Sequence, residues 1–244
     1  MIISAIRDGN ITGAIFILVS ILISLTVHEY SHGYIAYKCG DNTARNFGRL
    51  TLNPIKHLDI FGFLAMMLAG FGWAKPVPVN MRNMRKPRRD IALVSLAGPV
   101  SNFILAFIGV LFYKIFFTLL DPAEIIINGK VEIISNLTSD FAYNLFHNFC
   151  NFFYYFSILN LGLGLFNLLP IPPLDGSKIL SSILPPRIGY RFLQLERYAG
   201  LFILTLFALS RLGGLDFIFT PLIYLRDLIW EGFNKLIGLL PFIY

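Results

Sequence analysis

Three residues within five positions have the types and the spacing of a metal-binding catalytic motif. His28, Glu29 and His32 form the pattern H-E-x-x-H. On a helix the two histidines share one face, about 6 Å apart along the axis, which suits two imidazoles on one Zn²⁺ at ~2.0–2.1 Å each. Glu29 is turned about 100° away, so it can act on a water beside the metal without ligating the metal. The motif therefore predicts one hydrolytic zinc site per chain.

The surroundings of the motif strengthen this interpretation. His28 lies in a strongly apolar run that begins at Ile11, and ionisable residues inside a membrane segment are costly and usually functional. The alternative is a pair of buried histidines that form hydrogen bonds with neighbouring helices. At ~1.5 Å per residue, His28 is about 25 Å along the helix from Ile11. We therefore expect it roughly 5–10 Å from the far edge of the hydrocarbon core.

The composition is that of a membrane protein. The chain has 244 residues, of which 56% are hydrophobic and only 14% charged, and its mean hydropathy is +0.67, whereas soluble domains have about 25% charged residues. We predict an all-α polytopic membrane protein, a single transmembrane metalloprotease domain over residues 1–244, with its core at about 11–184 and C-terminal helices at about 198–244. The first apolar run is expected to be retained rather than cleaved. Cys39 and Cys150 provide neither a disulfide framework nor a C-x-x-C zinc site.

Hydropathy predicts five or six transmembrane helices with a re-entrant segment near residues 58–80. A hydrocarbon core of ~30 Å needs about 20 apolar residues per helical span. The last apolar stretch contains charged residues, so it is either a sixth span or an amphipathic helix at the interface. The apolar stretches are Ile11–Tyr37, Leu58–Trp73, Ile91–Leu120, Phe141–Leu169, Tyr198–Ser210 and Phe217–Tyr244.

The basic residues predict the orientation. They cluster after Ile11–Tyr37, before Ile91–Leu120 and after the aromatic-rich stretch Phe141–Leu169. These three basic segments are therefore expected on the cytoplasmic side of a bacterial-type plasma membrane. This pattern explains the net charge of +6 without nucleic acid. Leu58–Trp73 has basic segments on both sides and is too short to cross and return as helix, which would take about 40 residues. It is therefore expected to re-enter, beside protein or a wet cavity; the alternative is a conventional span with one loop mis-assigned.

A second polar cluster, Asn167–Gly176, ends the fourth apolar stretch at about the predicted depth of His28 and His32. Its prolines stop the helix, and Asp175-Gly176 has the composition of a turn, so we expect Asp175 in an extended, irregular segment near His28 and His32. A catalytic zinc takes three protein ligands and keeps one open position, which makes Asp175 the candidate third ligand. The alternative is an ordinary helix-stopping turn whose aspartate faces water.

These motifs together resemble those of the site-2 proteases, the intramembrane zinc metalloproteases of peptidase family M50. Besides H-E-x-x-H, the pattern N-x-x-P-x-P-x-L-D-G is matched from Asn167 to Gly176. Three further stretches are similar to a compact branch without PDZ-like or CBS-like modules. They are Gly48–Pro54 with His57 and Asp59, Gly72–Asn80, and Ala97–Asn102.

The resemblance implies a role for each matching residue. His28, His32 and Asp175 correspond to the zinc ligands and Glu29 to the general base, while Asn167 corresponds to a position that assists the substrate or transition state. Gly72–Asn80 is similar to a re-entrant hairpin that pairs with the substrate backbone, here through Val77 and Val79. Alternation of these valines with Pro76 and Pro78 suits an edge strand.

The resulting expectation is an intramembrane zinc endopeptidase. Its partners are the lipid bilayer and transmembrane protein substrates, which it would cut within or near the membrane segment; no nucleic acid is expected. The alternative is a non-catalytic metal-binding membrane protein or a transporter. A transporter would need ionisable residues along several spans, and the middles of the long spans have almost none.

Overall fold

The computed structural model describes residues 6–7, 9–69, 72–120, 122–127, 130–135, 140–201, 205, 209 and 216–240. Helices dominate this part of the chain, which confirms the predicted all-α class. In chain order its helices and strands are α1 (Ile11–Lys38), α2 (Thr43–Asn46), α3 (Ile60–Ala69), α4 (Pro87–Leu120), β1 (Pro122–Ile127), β2 (Lys130–Ser135), α5 (Asp140–Asn167), α6 (Asp175–Ile183), α7 (Pro186–Leu193) and α8 (Asp216–Ile237), with 3₁₀ turns at Pro54–Lys56, Met81–Asn83 and Gln194–Tyr198.

Three of the described helices, α1, α4 and α5, are long and apolar enough to cross a membrane. This finding supports an integral membrane protein, while the number of five or six spans stays a prediction. Most of the predicted span 198–210 lies outside the described residues. The antiparallel hairpin of β1 and β2, in which Ile127 pairs with Lys130, was not predicted from the sequence.

Local capping sets where the membrane helices begin. The side chain of Asn10 accepts a hydrogen bond from the Gly13 N–H (2.8 Å) at the start of α1, a common N-cap arrangement. Helix α4 begins four residues before the apolar run, because Pro87 favours the first helical position and the Asp90 carboxylate accepts the Lys86 N–H (2.8 Å).

The two ends of the segment that is predicted to re-enter the membrane lie next to each other. Leu58 and Ala74, on either side of α3, form an antiparallel bridge, and the Lys75 N–H donates to the His57 carbonyl (2.9 Å). The ten residues of α3 extend only about 15 Å at 1.5 Å per residue, roughly half the hydrocarbon thickness. The geometry fits a re-entrant element rather than a span.

The three long helices pack against one another, and α6 and α8 pack on them. The interface contains buried polar side chains as well as apolar ones. The Asn102 amide donates to Asn160 Oδ1 (2.8 Å), and the Asn160 amide donates to the Phe156 carbonyl (2.8 Å). Polar groups of membrane helices commonly satisfy one another in this way, and here the network fixes α4 relative to α5 next to the predicted site.

Candidate metal centre and active site

Three side chains converge where α1 meets the N-terminus of α6: two come from α1 and one from α6. His28 Nε2 lies 3.0 Å from His32 Nε2 and 3.1 Å from Asp175 Oδ2, and His32 Nε2 lies 3.2 Å from the same oxygen. All three residues are buried, at 4%, 8% and 8% exposure. The histidines come together because helix geometry places residues i and i+4 on one face, whereas only the tertiary fold brings Asp175 to them.

The structure corrects the expected setting of Asp175. The residue begins helix α6 instead of lying in an irregular turn, and an aspartate is favoured there because the helix N-terminus carries positive partial charge. The glycine that follows has a packing role, since a Cβ on Gly176 would lie 2.2 Å from the Leu168 carbonyl oxygen. Close backbone contact, rather than turn geometry, explains the Asp-Gly pair.

Hydrogen bonds on the far side of each imidazole define which nitrogen faces the cluster. His32 Nδ1 lies 2.7 Å from the Val94 carbonyl oxygen, which can only accept, so Nδ1 carries the proton. His28 Nδ1 lies 2.6 Å from Asn102 Oδ1, and the amide nitrogen of Asn102 is engaged with Asn160. In the neutral form of each ring, Nε2 then carries the lone pair and faces the Asp175 carboxylate. Such outer hydrogen bonds orient histidine ligands and raise their basicity.

This donor set fits a divalent metal. The two Nε2 atoms and a carboxylate oxygen lie 3.0–3.2 Å from one another. With both rings neutral, this arrangement is repulsive unless a cation lies between them. Donor atoms ~2.0–2.2 Å from one tetrahedral ion lie about 3.3–3.6 Å apart, and two histidines with a carboxylate are a known zinc set that leaves one position open. Within the described residues, these three form the one group of His, Cys, Asp and Glu that could hold a metal.

Gly98 on α4 packs directly against the imidazole rings of His28 and His32. A Cβ at this position would lie 2.6 Å from His28 Nε2 and 2.6 Å from His32 Cε1. We therefore expect Gly98→Ala to displace both rings and to lower zinc content per purified chain from about one to near zero. Gly162→Ala is the matched control, because a Cβ there meets no atom within 4 Å. Full zinc content in Gly98→Ala would contradict the close approach of α4.

Asn102 has an expected effect of its own on metal affinity. Replacing a residue that orients a metal-ligating histidine typically weakens metal binding 10–100-fold. We expect Asn102→Leu to weaken zinc binding by about that factor, measured by competition with a chromogenic chelator. Asn102→Asp keeps an acceptor for the His28 Nδ1–H and should bind zinc much more tightly than Asn102→Leu. Equal zinc affinities for the two variants would show that the hydrogen bond between residue 102 and His28 Nδ1 does not contribute to zinc binding.

Glu29 is outside the cluster and contacts the re-entrant region. Its Oε2 accepts a hydrogen bond from the Val77 N–H at 2.8 Å. The Val77 side chain packs towards Gly33, where a Cβ would lie 3.2 Å from Val77 Cγ1. Gly33 is one turn beyond Glu29 on the same face of α1, so its lack of a side chain lets residues 74–80 approach that face. Glu29 is thus free of the metal-binding group and held beside it.

The remaining predicted residues have mixed placements. Val79 lies with Val77 in the extended segment, residues 75–80, and packs against the cluster that contains Ala36 and Met84. Asn167 ends α5, and its amide donates to the Leu163 carbonyl of its own helix (3.0 Å). A role of Asn167 in supporting substrate or transition state stays a prediction; the bond to Leu163 uses one of the two N–H donors of the amide.

The contacts of Val94, Gly98 and Asn102 with the two histidines were not predicted from the sequence. Gly98 and Asn102 belong to a stretch noted for its resemblance to a family motif, but no spacing rule connects them to His28, which is 70 or more positions away. An asparagine within a predicted apolar span was the available signal, because polar residues inside membranes are often functional.

Comparison with known proteins identifies the family. The family described as "Peptidase family M50" matches residues 16–209, a range that includes both motifs and all three converging side chains. This chain belongs to peptidase family M50. Its membership confirms, at the level of the family, the resemblance to the site-2 proteases seen in the sequence. No solved structure matches the chain significantly.

Relatives of this M50 protein have names of the same kind. It is 45% identical over 192 residues to the "Putative zinc metalloprotease YwhC" of Bacillus subtilis (strain 168), covering 79% of this chain and 80% of the relative. It is 28% identical over 206 residues to the "Putative zinc metalloprotease Rip2" of Mycobacterium tuberculosis (strain ATCC 25618 / H37Rv), covering 82% and 69%. Over 186 residues it is 28% identical to the "Zinc metalloprotease MJ0392" of Methanocaldococcus jannaschii, covering 76% and 39%.

Proposed function

We propose that this protein is an intramembrane zinc endopeptidase, which cuts a peptide bond within or near the membrane segment of a transmembrane protein. The observation that carries the proposal is the convergence of His28, His32 and Asp175 with both Nδ1 atoms already engaged. Membership in family M50 and the relatives named zinc metalloproteases support the same activity. The basic segments favour an active site on the cytoplasmic side.

The chain's own groups suit peptide hydrolysis. His28, His32 and Asp175 would hold the zinc, which when bound supplies a Lewis acid for the scissile carbonyl and activates water. The Glu29 carboxylate takes a proton from the attacking water and returns it to the leaving amine. Its contact with the Val77 N–H holds the carboxylate next to residues 74–80, where an unwound substrate would lie.

The extended segment offers an edge for that substrate. Pro76 and Pro78 lack N–H groups, and residues that precede proline favour extended backbone, so Val77 and Val79 carry the donors on one edge. The Val79 N–H makes no hydrogen bond to any described residue, whereas the Val77 N–H donates to the Glu29 carboxylate. Addition of a substrate strand to such an edge uses main-chain hydrogen bonds. A substrate helix must first unwind, so residues with low helix propensity near the cut are favoured.

Reconstitution in liposomes tests the function against its alternative. The purified protein is combined with a panel of single-span reporter helices that have Gly, Asn or Pro near the cytoplasmic end, and fragments are mapped by mass spectrometry. We expect a cut within or near the apolar segment that stops with 1,10-phenanthroline and returns with added zinc. Intact reporters together with zinc entry into the liposomes, detected with an encapsulated dye, would favour a transporter instead.

A further inference from the structure

A buried aspartate outside the metal centre fixes the far end of the extended segment. Asp41 follows α1 and is fully buried, at 0% exposure. Its carboxylate accepts hydrogen bonds from the Asn80 N–H (2.7 Å), the Asn83 side-chain amide (2.9 Å), the Thr43 N–H (3.0 Å) and the Thr43 hydroxyl. Burial alone would raise the pKa of Asp41, but these hydrogen bonds together hold the pKa below its usual value.

The near end of the segment is fixed as well. The Lys75 N–H donates to the His57 carbonyl (2.9 Å), and the buried Arg49 guanidinium donates to the Lys75 carbonyl (2.7 Å). Residues 75 and 80 are therefore both anchored, and Val77, between them, donates to Glu29. A short chain held at both ends has little freedom, so these anchors determine how far the Val77–Val79 edge lies from the Glu29 carboxylate.

We propose that Asp41 is a positioning residue for the reaction: by binding the Asn80 N–H and Asn83, it holds the Val77–Val79 edge in register beside Glu29 for an incoming substrate strand. This inference depends on the proposed function. Asp41 does not touch the metal ligands; it acts through residues 77–80. Nothing in the catalytic step itself requires a carboxylate at this place, and burial of a charge is costly unless it is well hydrogen-bonded. A positional role accounts for the four donors directed at it.

The informative substitution is Asp41→Asn. It preserves size but replaces one acceptor oxygen with an NH₂ group, so a donor would face the N–H of either Asn80 or Thr43. We expect the segment to detach at Asn80, with zinc content unchanged. Because a loosened edge must be ordered again when substrate binds, KM for the cleaved reporter should rise about tenfold, equivalent to about 1.4 kcal/mol, with a much smaller change in kcat.

Asp90→Asn is the matched control. Asp90 is equally buried and also accepts backbone and side-chain donors, from Lys86 and Arg89, but it caps α4 and makes no hydrogen bond to residues 74–80. Both variants should lose thermal stability. Hydrogen exchange measured by mass spectrometry should show faster exchange over residues 72–80 only in Asp41→Asn. Asp41→Glu, which keeps both acceptor oxygens, should restore part of the protection and part of the KM.

The outcomes separate this inference from the proposed function. Faster exchange over 72–80 together with a raised KM in Asp41→Asn, and neither in Asp90→Asn, supports the positioning role. Unchanged exchange, or an equal rise of KM in both variants, overturns it while leaving the protease assignment intact. If the zinc-loaded wild-type protein cuts none of the reporters, the proposed function fails first, and a role of Asp41 in the reaction fails with it, whatever the exchange data show.

Discussion

Glu29→Gln should retain zinc and lose peptide-bond cleavage. The carboxylate is separate from the metal-binding group, so zinc content should stay near one per chain. Glutamine keeps an oxygen that can accept the Val77 N–H, which preserves the contact with the extended segment. It cannot take a proton from water, and general acid–base catalysis typically contributes 10²–10⁴-fold. We expect reporter cleavage in liposomes to fall by about that factor.

A chemically identical change elsewhere provides the control. Glu231 on α8 is exposed, and Glu231→Gln should leave both zinc content and cleavage as in the wild type. Cleavage by Glu29→Gln at the normal rate would remove Glu29 from the chemistry. Loss of zinc from the same variant would instead show that Glu29 belongs to the metal-binding group.

Asp175→Ala should release the metal. The variant leaves two imidazoles and no carboxylate, and loss of a ligand should exceed the 10–100-fold cost known for residues that only orient ligands. We expect zinc affinity to fall by more than about 100-fold and cleavage to stop at low free zinc. Chelator competition measures the affinity, and the reporter assay measures cleavage over a range of zinc concentrations.

Two further variants make this result specific. Asp175→Asn keeps one oxygen but no charge and should bind zinc with intermediate affinity. Asp227→Ala removes a half-exposed aspartate that pairs only with its neighbour Arg226 among the described residues, and it should change nothing. Unaltered zinc affinity in Asp175→Ala would exclude this carboxylate as a ligand.

Much of the fold was predictable because it depends on local patterns. Apolar runs predicted the long helices, and α1 and α5 match their runs to within about two residues at each end. The start of α4 was missed because Pro87 and Asp90 extend the helix beyond the apolar run. The hairpin of β1 and β2 had an overlooked signal, since Asn128-Gly129 between two apolar segments is a strong hairpin dipeptide. The Asp-Gly pair at 175–176 led to the wrong prediction of a turn. The glycine is there because the backbone at residue 176 packs closely against Leu168.

The sequence by itself determined the chemistry that the chain can offer: His28, Glu29 and His32 on one helix, Asp175 at a compatible depth, and the family to which the motifs belong. These follow from helix periodicity and hydropathy, which act over a few residues. Only the tertiary structure decided which nitrogen of each histidine faces Asp175, that Gly98 leaves room for both rings, and that Val77 donates to Glu29. Asp41 likewise gained a partner 39 positions away. Contacts of this kind depend on how helices pack, and packing joins residues without regard to their separation along the chain.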